Sequence, residues 1–238
     1  MPPSQIIDLS HPLNASMQIY PGDPPFRCRP ICTVEADGCS ISALSLGSHT
    51  GTHLDAPAHF IVGGATVSDL PISQLVGAAL VLRLPHLQPR ERITWTDHLA
   101  PYADALKAHA RSSGIVLLYT GWARHWGTPA YFDSPFLMGD AAARLVEFGV
   151  RVFGVDTMSP DEVPAPGGPE ETAGGFATHA TLLGAGVVIV ENLRNLESVE
   201  SGMTVSLVPL NLEGCDGSPV RAYAVAETAT DPTSSQTQ

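Results

Sequence analysis

A mixed α/β domain is the fold class that this sequence predicts, on three observations. Short apolar runs recur along the chain with glycines between them, only three segments carry helical signals, and the two kinds follow no regular alternation. A regular βαβ series would alternate them. Strands are expected at residues 6–9, 41–46, 78–84, 115–119, 150–155, 187–190, 204–208 and 220–225, each a β-rich apolar run. Gly77, Gly114, Gly149, Gly186, Gly202 and Gly217 punctuate them as turn residues. The first helix is expected to open at Pro101 and run through Ala103, Leu106, Lys107 and Ala110, with Gly114 beyond its end. Asp140 is expected to cap a second helix carrying Ala143, Leu145, Val146 and Phe148, stopped by Gly149. A third, short helix is expected over residues 176–183. Pro160, Pro164, Pro166 and Pro169 mark residues 160–175 as a long loop, a kind of segment that is often functional in a compact domain.

The 238 residues suit one domain, expected over residues 1–228, with residues 229–238 a small, polar, frayed tail. The formal net charge of −12 argues against nucleic acid or anionic membrane as a partner. Neither a basic-then-apolar leader nor a bilayer-length apolar run is present, so a cytoplasmic protein is expected. Cys28, Cys32, Cys39 and Cys215 form no CxxC pair and are expected as reduced, buried thiols. Of the nine histidines, His86, His98, His109 and His125 lack ligand spacing and are expected in surface or packing roles.

The run His49-Thr50-Gly51-Thr52-His53-Leu54-Asp55-Ala56-Pro57-Ala58-His59 carries the chemistry. His49, His53, Asp55 and His59 share one parity, so an extended chain aims all four at one face, whereas a helix would turn Asp55 away. Fully extended, the run would separate its ends by roughly 33 Å. It must therefore curl, and Gly51 and Ala56-Pro57 are placed to bend it. Two imidazoles and a carboxylate around one divalent ion, with a position left open for water, form a known ligand set for hydrolysis. Glu191 closes the apolar run 187–190, where a carboxylate is costly to desolvate unless paired or bound to a cation.

HTGTHLDAPAHF resembles the HxGTHxDxPxH signature of the cyclase family, which includes bacterial kynurenine formamidases, isatin hydrolases and related cyclic-amide hydrolases. The resemblance extends to YPGDPPF at 20–26, GVDTMSPDE at 154–162, THATLLGAGVVIVENL at 178–193 and VPLNLEGCDGSPVRA at 208–222. It implies a swivelling β/β/α domain, usually a homo-oligomer with its site near a subunit interface. By the same resemblance His49, His53 and Asp55 are ligands of a first metal ion. In the formamidase branch Asp55 would bridge to a second ion held by His179 and Glu191. His59 matches the general acid/base, and its ordinary pKa near 6.5 suits a proton shuttle; the alternative is a fourth ligand or a support for the ligands. Tyr20 stands where formamidases usually carry a pocket tryptophan. Phe26, Trp122, Trp126 and Phe176 are further candidates for pocket walls, and Asp156 reads as structural.

The expected function is hydrolysis of a small-molecule amide by a metal-activated water, with one or two Zn²⁺ or Mn²⁺ ions, and N-formylkynurenine leads by resemblance. The alternative is opening of isatin or a lactam with a single metal on His49, His53 and Asp55. A non-catalytic metal- or ligand-binding protein on the same scaffold is weighed against both, and His59, which mere binding does not require, counts against it.

Overall fold

The computed structural model of the chain describes residues 6–109, 111–164 and 175–226. The expected tail at 229–238 and most of the expected Pro/Gly-rich loop lie outside the described residues. In chain order the strands are β1 Ile6–Asp8, β2 Arg27–Cys32, β3 Ile41–Ser45, β4 His53–Asp55, β5 Val76–Arg83, β6 Arg92–Ile93 and β7 Ile115–Tyr119. They continue with β8 Phe136–Leu137, β9 Val152–Val155, β10 Val188–Glu191, β11 Thr204–Ser206, β12 Gly217–Pro219 and β13 Tyr223–Val225. The α-helices are α1 Val34–Asp37, α2 Ala103–His109, α3 Gly139–Glu147 and α4 Ala177–Gly184.

Nine strands form one curled mixed sheet in the order β1-β13-β11-β5-β7-β9-β10-β4-β12. Its centre, β5, β7, β9 and β10, is parallel, and the other five strands of this sheet pair antiparallel. The near-continuous apolar runs of those central strands follow from this, because both of their faces are covered. Ala79, Val81, Ile115, Leu117, Val152, Val188 and Val190 point to one core, which the curl closes with Leu54, Val205 and Ala224 from the antiparallel wings. Leu80, Leu82, Val116, Leu118, Phe153, Val155 and Ile189 point to the other, under α2, α3 and α4. The alternation is the period-2 geometry of a strand applied to a sheet buried twice.

The structure corrects several local expectations. Helical backbone begins at Trp95 rather than Pro101, because the Thr94 side chain caps the Asp97 amide and Trp95–Leu99 and Ala100–Tyr102 already coil before α2. Asp140 sits inside the first turn of α3, and the cap position falls on Met138 without a side-chain bond. The hairpin β2–β3 has no counterpart at 27–32 in the sequence reading, since Arg-Cys-Arg-Pro-Ile-Cys lacks an apolar pattern. The cysteines are free but not buried: Cys28 and Cys39 are exposed and Cys32 and Cys215 half-buried. Three of the four lie on that hairpin or the turn joining it, which packs little against the sheet.

Candidate active site

Strand register builds the first half of the site. In the antiparallel pair β10–β4, His53 stands opposite Glu191 and Asp55 opposite Ile189, so all four share the sheet face under α4. Leu54, between the two polar residues, faces Val190 and the closed core. The expected extended segment is strand only over His53–Asp55. The chain turns before it at Gly51, φ 67°, where the left-handed conformation favours glycine, and after it through the 3₁₀ turn Pro57–His59. Those two bends bring His49 and His59 together, ring centroids 3.9 Å apart. Helix α4 crosses the same face and delivers His179.

The polar atoms converge on Asp55, which is 1% exposed. Its Oδ1 lies 2.6 Å from His49 Nδ1 and 3.2 Å from His53 Nε2, and its Oδ2 lies 3.6 Å from His179 Nε2. Glu191 faces His53 Nε2 at 3.2 Å and His179 Nε2 at 3.3 Å. Two groups of three ligand atoms result, each within 4.8 Å of one another: His49 with Asp55 and His59, and His53 with Asp55 and Glu191. Asp55 belongs to both. The expected first set, His49, His53 and Asp55, and the expected second pair, His179 and Glu191, meet at this one carboxylate.

The residues fit a cation on the chemistry of their donors. Asp55 Oδ2 and Glu191 Oε1 are buried and make no well-aligned hydrogen bond; His179 Nε2 faces them at 3.6 and 3.3 Å, and two carboxylates buried this close together are stabilised by further positive charge. His53 Nδ1 lies 2.8 Å from the Gly51 carbonyl, which can only accept, so that nitrogen donates. Its Nε2 is the atom left facing Asp55 and Glu191, as an N–H in the protonated ring or as a donor to a cation in the neutral one. His179 Nδ1 lies 2.6 Å from Asp161 Oδ2, and Asp161 also accepts the backbone amides of Thr178 and His179, leaving His179 Nε2 aimed at Asp55 and Glu191. Such outer partners fix the tautomer of a ligating imidazole.

The charges follow the same geometry. Burial penalises the Asp55 carboxylate, yet the His53 charge and the bonds from His179, His49 and His53 hold it well below the usual carboxylate range. Burial opposes protonation of His53 and His179 as well, but Asp55 and Glu191 raise His53, and Asp161, Asp55 and Glu191 raise His179. His59 differs: burial lowers its pKa, His49 and His179 add to this, and Asp55 and Asp216 offset only part.

A cavity of about 240 Å³ opens on this cluster. Tyr20, Phe60 and Phe176 line it with Asp23, Met158 and Asn192. Tyr20 therefore lies at the pocket, where burial and the nearby Glu191, Asp161 and Asp23 push its hydroxyl up to about 12. Trp122 and Trp126 pack instead with Tyr131 behind Tyr20, and neither they nor Phe26 line the cavity. Asp156 accepts from Thr120 and Gly121 and ties the end of β9 to the loop after β7, a structural part. Asp161 and Asp216 are the residues that sequence reasoning left without a role. Asp216 Oδ2 lies 2.9 Å from His49 Nε2 and 3.2 Å from His59 Nδ1. Both aspartates lie in the segments 154–162 and 208–222 that carry the family resemblance, which was the available signal.

The sequence profile of the Cyclase family matches residues 7–162. The kynurenine formamidase of Bacillus mycoides (strain KBAB4) is 34% identical over 225 residues, 93% of this chain and 98% of that protein. That of Paracidovorax citrulli (strain AAC00-1) is 29% identical over 223 residues, 92% of this chain and 96% of that one. Among solved structures, isatin hydrolase A from Ralstonia solanacearum matches with a TM-score of 0.79 at 25% identity, over 94% of this chain and 92% of that one. A potential metal-dependent hydrolase with cyclase activity matches at 0.75 and 29% identity, over 95% of this chain and the whole of the other. With the HxGTHxDxPxH residues gathered around one buried carboxylate and likeness running along nearly its full length, the chain belongs to the Cyclase family.

Proposed function

We infer that this protein is a metal-dependent hydrolase of amide C–N bonds. The observation that carries the reading is the convergence of the buried Asp55 and Glu191 carboxylates on the Nε2 atoms of His53 and His179, whose Nδ1 atoms are held by other partners. His49, His53, Asp55, His179 and Glu191 would hold one or two divalent ions, zinc or manganese, with Asp55 shared between them. A bound ion supplies Lewis-acid polarisation of the amide carbonyl and acidifies a water at neutral pH. His59, with its lowered pKa, is the neutral imidazole that takes the proton from water and returns it to the leaving nitrogen. Tyr20, Phe60 and Phe176 give the aromatic walls against which a planar ring would stack.

Aryl formamide is the leading substrate class, N-formylkynurenine its first member, on the strength of the formamidase relatives. A neutral cyclic amide such as isatin is the second reading. One observation favours it: among the described residues the cavity is lined by Asp23 and the site carboxylates and by no lysine or arginine, so a substrate carboxylate would find no cation there. No helix of the described residues is long and apolar enough to cross a membrane, and the cytoplasm is our proposed location. We also propose a homo-oligomer, because the β2–β3 hairpin exposes Ile31, Val34, Ile41 and Leu44, and a two-stranded hairpin is marginal without a covered face. The test is hydrolysis of N-formylkynurenine and isatin by protein stripped of metal and reloaded with Zn²⁺ or Mn²⁺. Metal-restored turnover of either supports the reading and picks the substrate. A His53→Ala variant that binds no metal yet keeps its rate would sink it.

A further inference from the structure

We propose that Asp216 is a positioning residue, the carboxylate that fixes the tautomer and orientation of His59 for proton transfer, and the proposal rests on the hydrolase reading above. Its Oδ2 stands between two imidazoles, 3.2 Å from His59 Nδ1 and 2.9 Å from His49 Nε2. The two rings lie nearly face to face, 3.9 Å between centroids and 33° between planes. One oxygen therefore sets the direction of both.

The backbone holds that oxygen in place. The Asp216 carbonyl accepts the Ala56 amide at 2.8 Å, one residue past the end of β4. The following residue, Gly217, pairs with Asp55 in the β12–β4 register. Gly217 also clears space, since a Cβ there would stand 2.6 Å from His49 Cε1 and 2.9 Å from the Leu54 carbonyl. A segment more than 150 positions away in sequence from His59 is thus locked beside it by strand pairing.

The chemistry follows from what a carboxylate can do. An ionised carboxylate only accepts, so His59 must donate from Nδ1, and its lone pair is then confined to Nε2. Nε2 takes a proton from water as the O–H bond breaks, and the imidazolium passes it to the amide nitrogen as the C–N bond breaks. Asp216 stays ionised throughout and stabilises the transient imidazolium, the orienting part that a buried aspartate plays beside a catalytic histidine in serine proteases. Glu191 and Asp55 cannot do this, because their oxygens face His53, His49 and His179.

The experiment compares Asp216→Asn and Asp216→Glu with the wild type, in the zinc-loaded and the metal-free protein. The side chain is 41% exposed, so both variants should fold. The expected outcome for Asp216→Asn is a fall in kcat of about 10–100-fold, the usual scale for an orienting partner. KM should stay unchanged at saturating zinc, with rates taken per bound ion because Asp216 also contacts His49, and Asp216→Glu should recover part of the rate. Nitrogen-15 NMR of the His59 ring, assigned by its loss in His59→Gln, should read the Nδ1–H tautomer in the wild type and a shift toward Nε2–H in Asp216→Asn. A rate per bound ion equal to that of the wild type would make Asp216 a support for His49 alone, and an unchanged tautomer of His59 would make it a bystander to that ring; either overturns the proposal. The NMR readout needs no turnover. A protein that hydrolyses no amide but keeps the Asp216-dependent tautomer would refute the hydrolase reading while leaving the hydrogen-bonding role of Asp216 intact.

Discussion

His59 and Gly217 put the proposed chemistry to the test one residue at a time. His59 is kept neutral by burial and by the charges of His49 and His179, with Asp55 and Asp216 pulling the other way. A base whose pKa is lowered from 6.5 is lost only as the pH falls through that lowered value. The acid limb of kcat/KM should therefore be centred below pH 6.5. An acid limb centred above pH 6.5 would contradict the assignment. Gly217 has no side chain because His49 and the β4 backbone occupy its place. Gly217→Ala should push His49 off Asp55, costing about 10–100-fold in metal affinity or rate and about 1–3 kcal/mol in stability from overpacking. Metal titration and turnover of that variant measure it, and wild-type values for both would refute the account.

Elements matter here through register and close approach. Pairing of β4 with β10 sets His53 beside Glu191, and a slip of one residue would send Leu54 into the site and Asp55 into the core. Gly154 on β9 marks how tightly the central strands pack. A Cβ there would meet Leu117 Cδ2 and Leu193 Cδ1 at 2.7 Å each, both on fully buried side chains. Gly154→Ala should destabilise the fold by about 1–3 kcal/mol, read as a lower midpoint in chemical denaturation. A midpoint at or above that of the wild type would mean the core has slack the packing does not reveal. Helix α4 is positioned from both ends of its own sequence: Asp161 accepts the first-turn amides of Thr178 and His179, and Leu182 and Leu183 are buried in the core beneath. That is why His179, a weak signal by itself, arrives at Asp55.

The whole molecule adds the hairpin. Val34 is 61% and Leu44 62% exposed on an arm that packs little against its own sheet. Val34→Glu together with Leu44→Glu should convert the proposed oligomer to monomer in light scattering at micromolar concentration. A wild-type chain that is already monomeric would dispose of the idea. The arm carries Cys28, Cys32 and Cys39, so the proposed cover would also change the access to those thiols.

Read alone, the sequence was enough for the parallel core strands, since runs such as Ile115–Tyr119 are apolar at every position and glycine-bounded. It also marked His49, His53, Asp55 and His59 as a group that must curl, because their types and shared parity have no packing explanation. Glu191 announced itself as a charge closing a buried run. Strand β12 was illegible, since Gly-Ser-Pro carries no hydrophobic period and is held by its neighbours, and the extended chain read over 49–59 is strand only in the three residues of β4. The helical start at Thr94 was missed because its cap outweighed the proline signal at 101. Asp161 and Asp216 gained their places only in three dimensions. Each contacts a histidine 18 to 167 positions away, and no local pattern encodes a hydrogen bond made by sheet pairing and helix docking. The proposed ligand residues are a property of the local sequence; their hydrogen-bond partners, their gathering about Asp55 and the shape of the cavity follow from the tertiary fold, which alone brings distant carboxylates within reach of the imidazole nitrogens.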